Sequence, residues 1–199
     1  SDMMSFYDDS QNSFTNFAMN GIDQRHMGIE LGFKIPLVLQ GLSMEGALSW
    51  GEYIYTSAPR MTQTIDNSAE VIADNALVPY WASHPVYKKN VVEGKTVYET
   101  DAKGAMPEVE KYQKHYVPST PQLAADLGLN YRTNSYWFFE IDAQYFANSY
   151  LDMNPLYRTD MAVAGPDNIA TPVEVEYMAA QERFDPVFLL NASVGKSWY

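Results

Sequence analysis

Two runs of strict alternation, set back to back, constrain this chain more than any other feature. Met27, Ile29, Leu31, Phe33 and Ile35 are apolar, and Gly28, Glu30, Gly32 and Lys34 fall between them. After a break at 36–41 the pattern resumes with Leu42, Met44, Gly46, Leu48 and Trp50, separated by Ser43, Glu45, Ala47 and Ser49. A period of two held over this length predicts a hairpin with one greasy face and one polar face. Pairing the runs about the break sets Ile35 opposite Leu42, Phe33 opposite Met44 and Met27 opposite Trp50. A slip of one residue would turn every apolar side chain to the wrong face. On the polar face Lys34 lies diagonal to Glu45, within reach for an ion pair.

The same grammar recurs downstream. Leu123, Ala125, Leu127, Leu129 and Tyr131 share one side of a predicted strand, and Trp137, Phe139, Ile141, Ala143 and Tyr145 one side of the next. A tight turn at 132–135 joins them, with Asn134 as its left-handed residue. Pairing about Asn134 sets Leu129 opposite Phe139 and Tyr131 opposite Trp137. On the polar side it sets Asp126 opposite Asp142 and Gly128 opposite Glu140. Facing carboxylates are unfavourable unless water, a cation or a basic partner relieves them. A last strand carries Phe188, Leu190, Ala192 and Val194 on one face, while the other passes from Val187 and Leu189 to Asn191, Ser193 and Gly195. Strands are thus expected at about 26–35, 42–51, 122–131, 136–146 and 187–195.

Between these strands lie two long polar stretches, 56–119 and 148–186, rich in proline and without a sustained period. They read as long loops, with short helices over 68–76 and 175–183. The first twenty residues, with a polar cluster at 8–12, read as a loop or strand end. Tyr80, Trp81, His84, Tyr87, Tyr112 and Tyr116 in the first long loop are candidates for ligand contacts, since aromatics on loops above a rigid scaffold favour recognition. The competing reading is that these rings pack the loop onto itself.

Composition narrows the chemistry. A formal net charge of -12 argues against a nucleic-acid partner, which needs clustered Lys and Arg. No cysteine is present, so disulfides, thiolate metal sites and thiol nucleophiles are excluded. No run of eighteen apolar residues exists to make a transmembrane helix, and residues 1–10 lack the basic and apolar regions of a secretory leader. His26, His84 and His115 have no metal-ligand spacing. Neither a Gly-x-Ser-x-Gly elbow nor a phosphate loop occurs. Gly165-Pro166-Asp167-Asn168 and Asp152-Met153-Asn154 offer oxygens without calcium-loop spacing and read as turns. No enzymatic activity, cofactor or metal is expected.

The order short turn, long loop, short turn, long loop predicts an all-β fold. More narrowly, it predicts a segment of an antiparallel up-and-down transmembrane β-barrel, with short periplasmic turns and long extracellular loops. The strands approach the roughly nine to eleven residues that cross a bilayer at a tilt. Trp50, Tyr131, Trp137 and Tyr145 sit at strand ends, where amphipathic aromatics favour the interface. On this reading Ile29, Leu31, Phe33, Met44, Leu48, Leu127, Leu129, Phe139 and Ile141 face lipid. Glu30, Lys34, Glu45, Asp126, Glu140 and Asp142 face an aqueous lumen or a plug within it. The alternative is a soluble β-sandwich that binds carbohydrate or protein, in which the same apolar face meets a second sheet.

Three stretches also resemble a known family. GIDQRHMGIELG at 21–32, YLDMNPLYRTDMAV at 150–163 and QERFDPVFLLNASVGKSW at 181–198 are similar to the late barrel strands and loops of TonB-dependent outer-membrane receptors. The likeness is to receptors of gut-type bacteria that carry a carboxypeptidase-regulatory-like extension. It covers most of the chain and is specific to the C-terminal third of the barrel. It implies ligand-gated import of a scarce nutrient across a bacterial outer membrane. It further implies as partners the surrounding lipid, a plug domain and the remaining strands of the same receptor, and the TonB complex acting through the plug. The ligand class stays open between siderophore, cobalamin, glycan and peptide. The TonB box and plug lie upstream in that family and are not in this sequence. About eight strands are the fewest that close, so the five or six here are expected to belong to a longer receptor.

Overall fold

Alternation is realised as strand wherever the sequence carries it, and in several places where it does not. The computed structural model describes residues 2–8, 13–66, 68, 70–100, 104, 107–118, 120–164 and 172–198. Among the described residues the strands are β1 (Asp2–Asp8), β2 (Ser13–Asn20), β3 (Gln24–Pro36), β4 (Leu42–Tyr55), β5 (Arg60–Ile65), β6 (Val71–Leu77), β7 (His84–Tyr87), β8 (Lys89–Val92), β9 (Lys95–Tyr98), β10 (Val109–Gln113), β11 (Leu123–Arg132), β12 (Trp137–Ala147) and β13 (Val187–Lys196). Two short helices, α1 (Asp160–Val163) and α2 (Pro172–Met178), and 3-10 turns at Pro79–Trp81 and Pro155–Arg158 complete the set. The fold is mostly antiparallel β-sheet. No helix among the described residues is long and apolar enough to cross a membrane.

The chain forms two compact units. One comprises 26–53, 117–152 and 182–199, the other 1–25, 54–116 and 153–181. The sheet unit, as we call the former, holds a five-stranded meander in the order β13-β12-β11-β4-β3. All five strands predicted from alternation are present. Their registers keep apolar residues together: Leu129 pairs with Met44 and Ala125 with Leu48 across β11 and β4. Phe139 pairs with Val194, Ala143 with Leu190 and Tyr145 with Phe188 across β12 and β13. No closed barrel is formed by these strands.

The β11–β12 hairpin departs from the predicted pairing by two residues. Leu129 faces Ile141 and Tyr131 faces Phe139. The turn is four residues long. Thr133 and Trp137 exchange backbone and side-chain hydrogen bonds, the Tyr136 N–H donates to the Thr133 carbonyl at 3.1 Å, and the left-handed residue is Tyr136 (φ 66), not Asn134. A two-residue shift preserves the faces but changes the polar partners. Asp126 lies opposite Gln144, Gly128 opposite Asp142 and Asn130 opposite Glu140, so the expected facing carboxylates do not occur. In the other hairpin, β3 to β4, the Leu37 N–H donates to the Leu42 carbonyl at 2.9 Å. Gly41 has φ +83, and a Cβ there would collide with the Arg132 carbonyl, so glycine is required on both counts.

The second unit corrects the largest expectation. Among the described residues, the stretch 56–119 holds six strands and is not an irregular loop, and the first twenty residues hold β1 and β2. A four-stranded sheet runs β1-β2-β5-β6, with Met19 opposite Met61 and Phe17 opposite Gln63. Phe17, Met19, Met61, Val78 and Trp81 are fully buried and belong to the core of this unit. β7 pairs with β10, and β8 with β9 around Glu93 and Gly94, both at positive φ as a tight hairpin turn demands. The helix expected over 68–76 is absent. Val71–Leu77 is strand β6, whose pairing with β5 shifts register twice and places Asn75 at φ 51. The helix expected over 175–183 is displaced to α2, which ends at Met178, while Arg183 bridges Tyr150 in the sheet unit. Residues 9–12 and 165–168 lie outside the described residues. Asn154 acts as a turn former: its side chain accepts the Leu156 N–H at 2.9 Å and caps the Pro155–Arg158 turn.

Candidate functional site

The meander has two faces of opposite character. On the apolar face Ile29, Leu31, Phe33, Leu48, Leu127, Leu129, Phe139, Ile141, Phe188, Leu190 and Val194 are all exposed, with Leu31 at 61% and Leu190 at 65%. Met44 is half-buried. Burial of such side chains against an apolar phase is worth roughly 1.5–3 kcal/mol each, so a continuous bare face of this size demands a covering. Phe33 partly covers its own neighbour, lying with its ring over Gly46, where a Cβ would meet the ring.

The polar face is organised by hydrogen bonds between strands. Lys34 Nζ contacts Glu45 Oε2 at 2.9 Å, the ion pair that the alternation predicts, and Asn130 donates to the other Glu45 oxygen at 2.8 Å. Asn191 donates to Asp142 at 2.8 Å and Ser193 to Glu140 at 3.2 Å. Glu30 and Asp126 line a shallow hollow of about 560 Å³ with Ala47, Ser49, Ala124 and Gln144. Neutral donors thus replace the basic partners that facing carboxylates would have needed. The small residues between them leave the face shallow enough for water.

The aromatics proposed as ligand contacts do not form one surface. Trp81 is 0% exposed and His84 2%, so both are buried within the second unit. Tyr80 is half-buried, and burial together with a hydrogen bond to Asp160 pushes its hydroxyl up to about 12. Tyr87 is half-buried and stands edge-on to Tyr98. The Tyr116 backbone is clasped by the Gln181 side chain, which accepts its N–H at 2.7 Å and donates to its carbonyl at 2.8 Å. Only Tyr112 of the six is widely exposed. Exposed side chains that the sequence reading did not single out are Tyr157, Met161 and Tyr177.

Three buried polar side chains come together from distant segments. His84, His115 and Arg158 are buried in the second unit, the two imidazoles 5.0 Å apart between centroids. Burial, then the Arg158 charge, lowers His84; burial and the neighbouring His84 bring His115 down to about 4, and burial alone brings Arg158 to about 10. The three come from distant segments with no local motif, so the linear pattern does not announce their proximity.

No protein-family model, characterised protein or solved structure matches this chain.

Proposed function

We propose that the sheet unit is wall of an outer-membrane β-barrel of the TonB-dependent receptor type. The chain then serves ligand-gated, TonB-energised import of a scarce nutrient. The observation that carries this reading is the bare apolar face backed by a polar one across five antiparallel strands of 10 to 14 residues. Hydrocarbon outside and water inside is the environment that suits such a ribbon. A soluble sandwich would need a second apolar layer on Ile29, Phe33 and Leu48, and these remain exposed. The gating, the plug and the TonB partner come from the sequence resemblance. Where the second unit faces the outside, its exposed Tyr112, Tyr157 and Tyr177 are the surface on which capture of a small molecule, glycan or peptide would be sought first.

The test uses the absence of cysteine. Asp126→Cys and Leu127→Cys, made separately in the chain as it occurs in the cell envelope, place a thiol on either face of one strand. A membrane-impermeant maleimide should label position 126 once it can reach the lumen. It should label position 127 only after detergent solubilisation. Equal labelling of both in intact membranes would mean that the apolar face is not in lipid.

A further inference from the structure

A sheet becomes concave where small side chains are ringed by large ones. On the polar face of the sheet unit Ala47 lies opposite Asp126, and Asp126 opposite Gln144; in the next row Ser49 lies opposite Ala124, and Ala124 opposite Phe146. Ala47, Ser49 and Ala124 carry at most two side-chain heavy atoms, so the backbone is barely covered at the centre of these rows. Gln144 and Phe146 on β12 bound the basin on one side and Glu30 on β3 on the other, which leaves the hollow of about 560 Å³. Its volume falls within the roughly 300–1,000 Å³ of small-molecule sites, and its small apolar floor with a few polar groups converging on it is their usual make-up.

The polar groups decide what fits. Glu30 and Asp126 border the hollow from β3 and β11, which have β4 between them. Two strand spacings, about 10 Å, separate those backbones. Lys34, four residues along β3 from Glu30, is held by Glu45 at 2.9 Å and takes no part in the lining. An anion would meet like charge from both sides. A metal ion needs its oxygens within about 2.6 Å of one point, and among the described residues no group of three or more His, Cys, Asp or Glu is placed to hold one. A neutral sugar would displace water from both carboxylates and return no charge to them. An alkyl chain with a charged nitrogen at each end matches the spacing. Its nitrogens would reach Glu30 and Asp126, its methylenes would lie on Ala47 and Ala124, and the Gln144 amide oxygen would accept a further N–H. We infer that the hollow binds an aliphatic dication of the polyamine class. Its walls are the same whatever covers the apolar face, so the site stands apart from the importer reading.

The full chain, held in the buffer or detergent in which it folds, is titrated calorimetrically with spermidine, with agmatine (a guanidinium and an ammonium on one butyl chain), with n-butylamine and with glucose. Spermidine or agmatine should bind saturably, one per chain. Butylamine, which can reach a single carboxylate, should bind at least about tenfold more weakly. Glu30→Gln and Asp126→Asn should each weaken the dication by about tenfold. Ala47→Trp, which fills the floor, should abolish binding. Glu45→Gln, on the same face but outside the hollow, should change it by less than about twofold. No saturable binding of either dication, butylamine binding as tightly as spermidine, or saturation by glucose in their place overturns the site. So does an equal loss in Glu45→Gln and Asp126→Asn, which would reduce the effect to diffuse attraction by an acidic face. Should Ala47→Trp not fold, the conservative Glu30→Gln and Asp126→Asn variants decide: undiminished binding in both refutes the site.

Discussion

The two units solve opposite problems with similar strands. In the second unit Trp81, Phe17, Met19 and Met61 are withdrawn from solvent, and the buried set includes polar groups such as His115 and Gln63. In the sheet unit large apolar side chains such as Leu31, Phe188 and Leu190 are widely exposed, and β3 and β13 are open along almost their whole length. A core that closes on itself is stabilised by packing within the chain. A sheet with no covering layer is stabilised only by what surrounds it. The same kind of substitution should therefore act very differently in the two places.

The largest effect is expected at Trp81. Its removal from a fully buried position, Trp81→Ala, should cost about 3–5 kcal/mol and lower the denaturant midpoint of the second unit accordingly. The sheet unit, monitored separately by labelling of Asp126→Cys, should keep its accessibility. A coupled collapse of both would show that the division into units is not energetic.

Next come Leu31→Arg and Leu127→Arg. In lipid a cation near mid-bilayer costs roughly 2–4 kcal/mol, so assembly into a heat-resistant membrane species should fail. In water the same exposed positions would tolerate the change within about 0.5 kcal/mol. Normal assembly of both variants in lipid would remove the lipid-facing assignment.

The contrast also explains what could be read from the sequence. Alternation in β3, β4, β11, β12 and β13 is legible because each face meets one uniform environment, and the Lys34–Glu45 pair follows from it. The β11–β12 register differs by two residues from the alternation-based pairing because Tyr136, a bulky residue at positive φ, gives no propensity signal for the turn it makes. In the second unit burial does alternate along β2, where Thr15, Phe17 and Met19 are inside. Thr15 and the exposed Phe14 disguise that alternation, as the buried Gln63 does in β5. The buried His84, His115 and Arg158 were invisible because their proximity is tertiary. An aromatic in a polar stretch looks the same whether it faces a ligand or a core, so the burial of Trp81 and His84 has no signal in the sequence.

Acid should separate the units further. The His115 imidazole ionises near 4 when folded and near 6.5 when unfolded, so above about pH 6.5 it costs nothing. As pH falls from there toward 4 the unfolded chain takes up the proton first, and the second unit loses about 3 kcal/mol of stability; below 4 the loss levels off. His84, also lowered, adds in the same direction. His115→Gln should flatten this slope between pH 6.5 and 4 in chemical denaturation. A slope unchanged by that substitution would assign the acid response to other groups.

The smallest effect is the most telling about the polar face. Lys34 and Glu45 side chains keep 67% and 41% of their exposure, and exposed ion pairs contribute little once entropy and screening are counted. Lys34→Met should leave the thermal midpoint unchanged within error, as should Lys89→Met opposite Glu176 in the second unit. In a water-filled bore Glu45 simply rehydrates and keeps its bond from Asn130. Were the face dry, as between two stacked sheets, Lys34→Met would strand a carboxylate without its counter-ion and destabilise strongly. A marked loss on Lys34→Met that is absent on Lys89→Met would therefore place the polar face in contact with protein and not water, and the importer reading would lose its lumen.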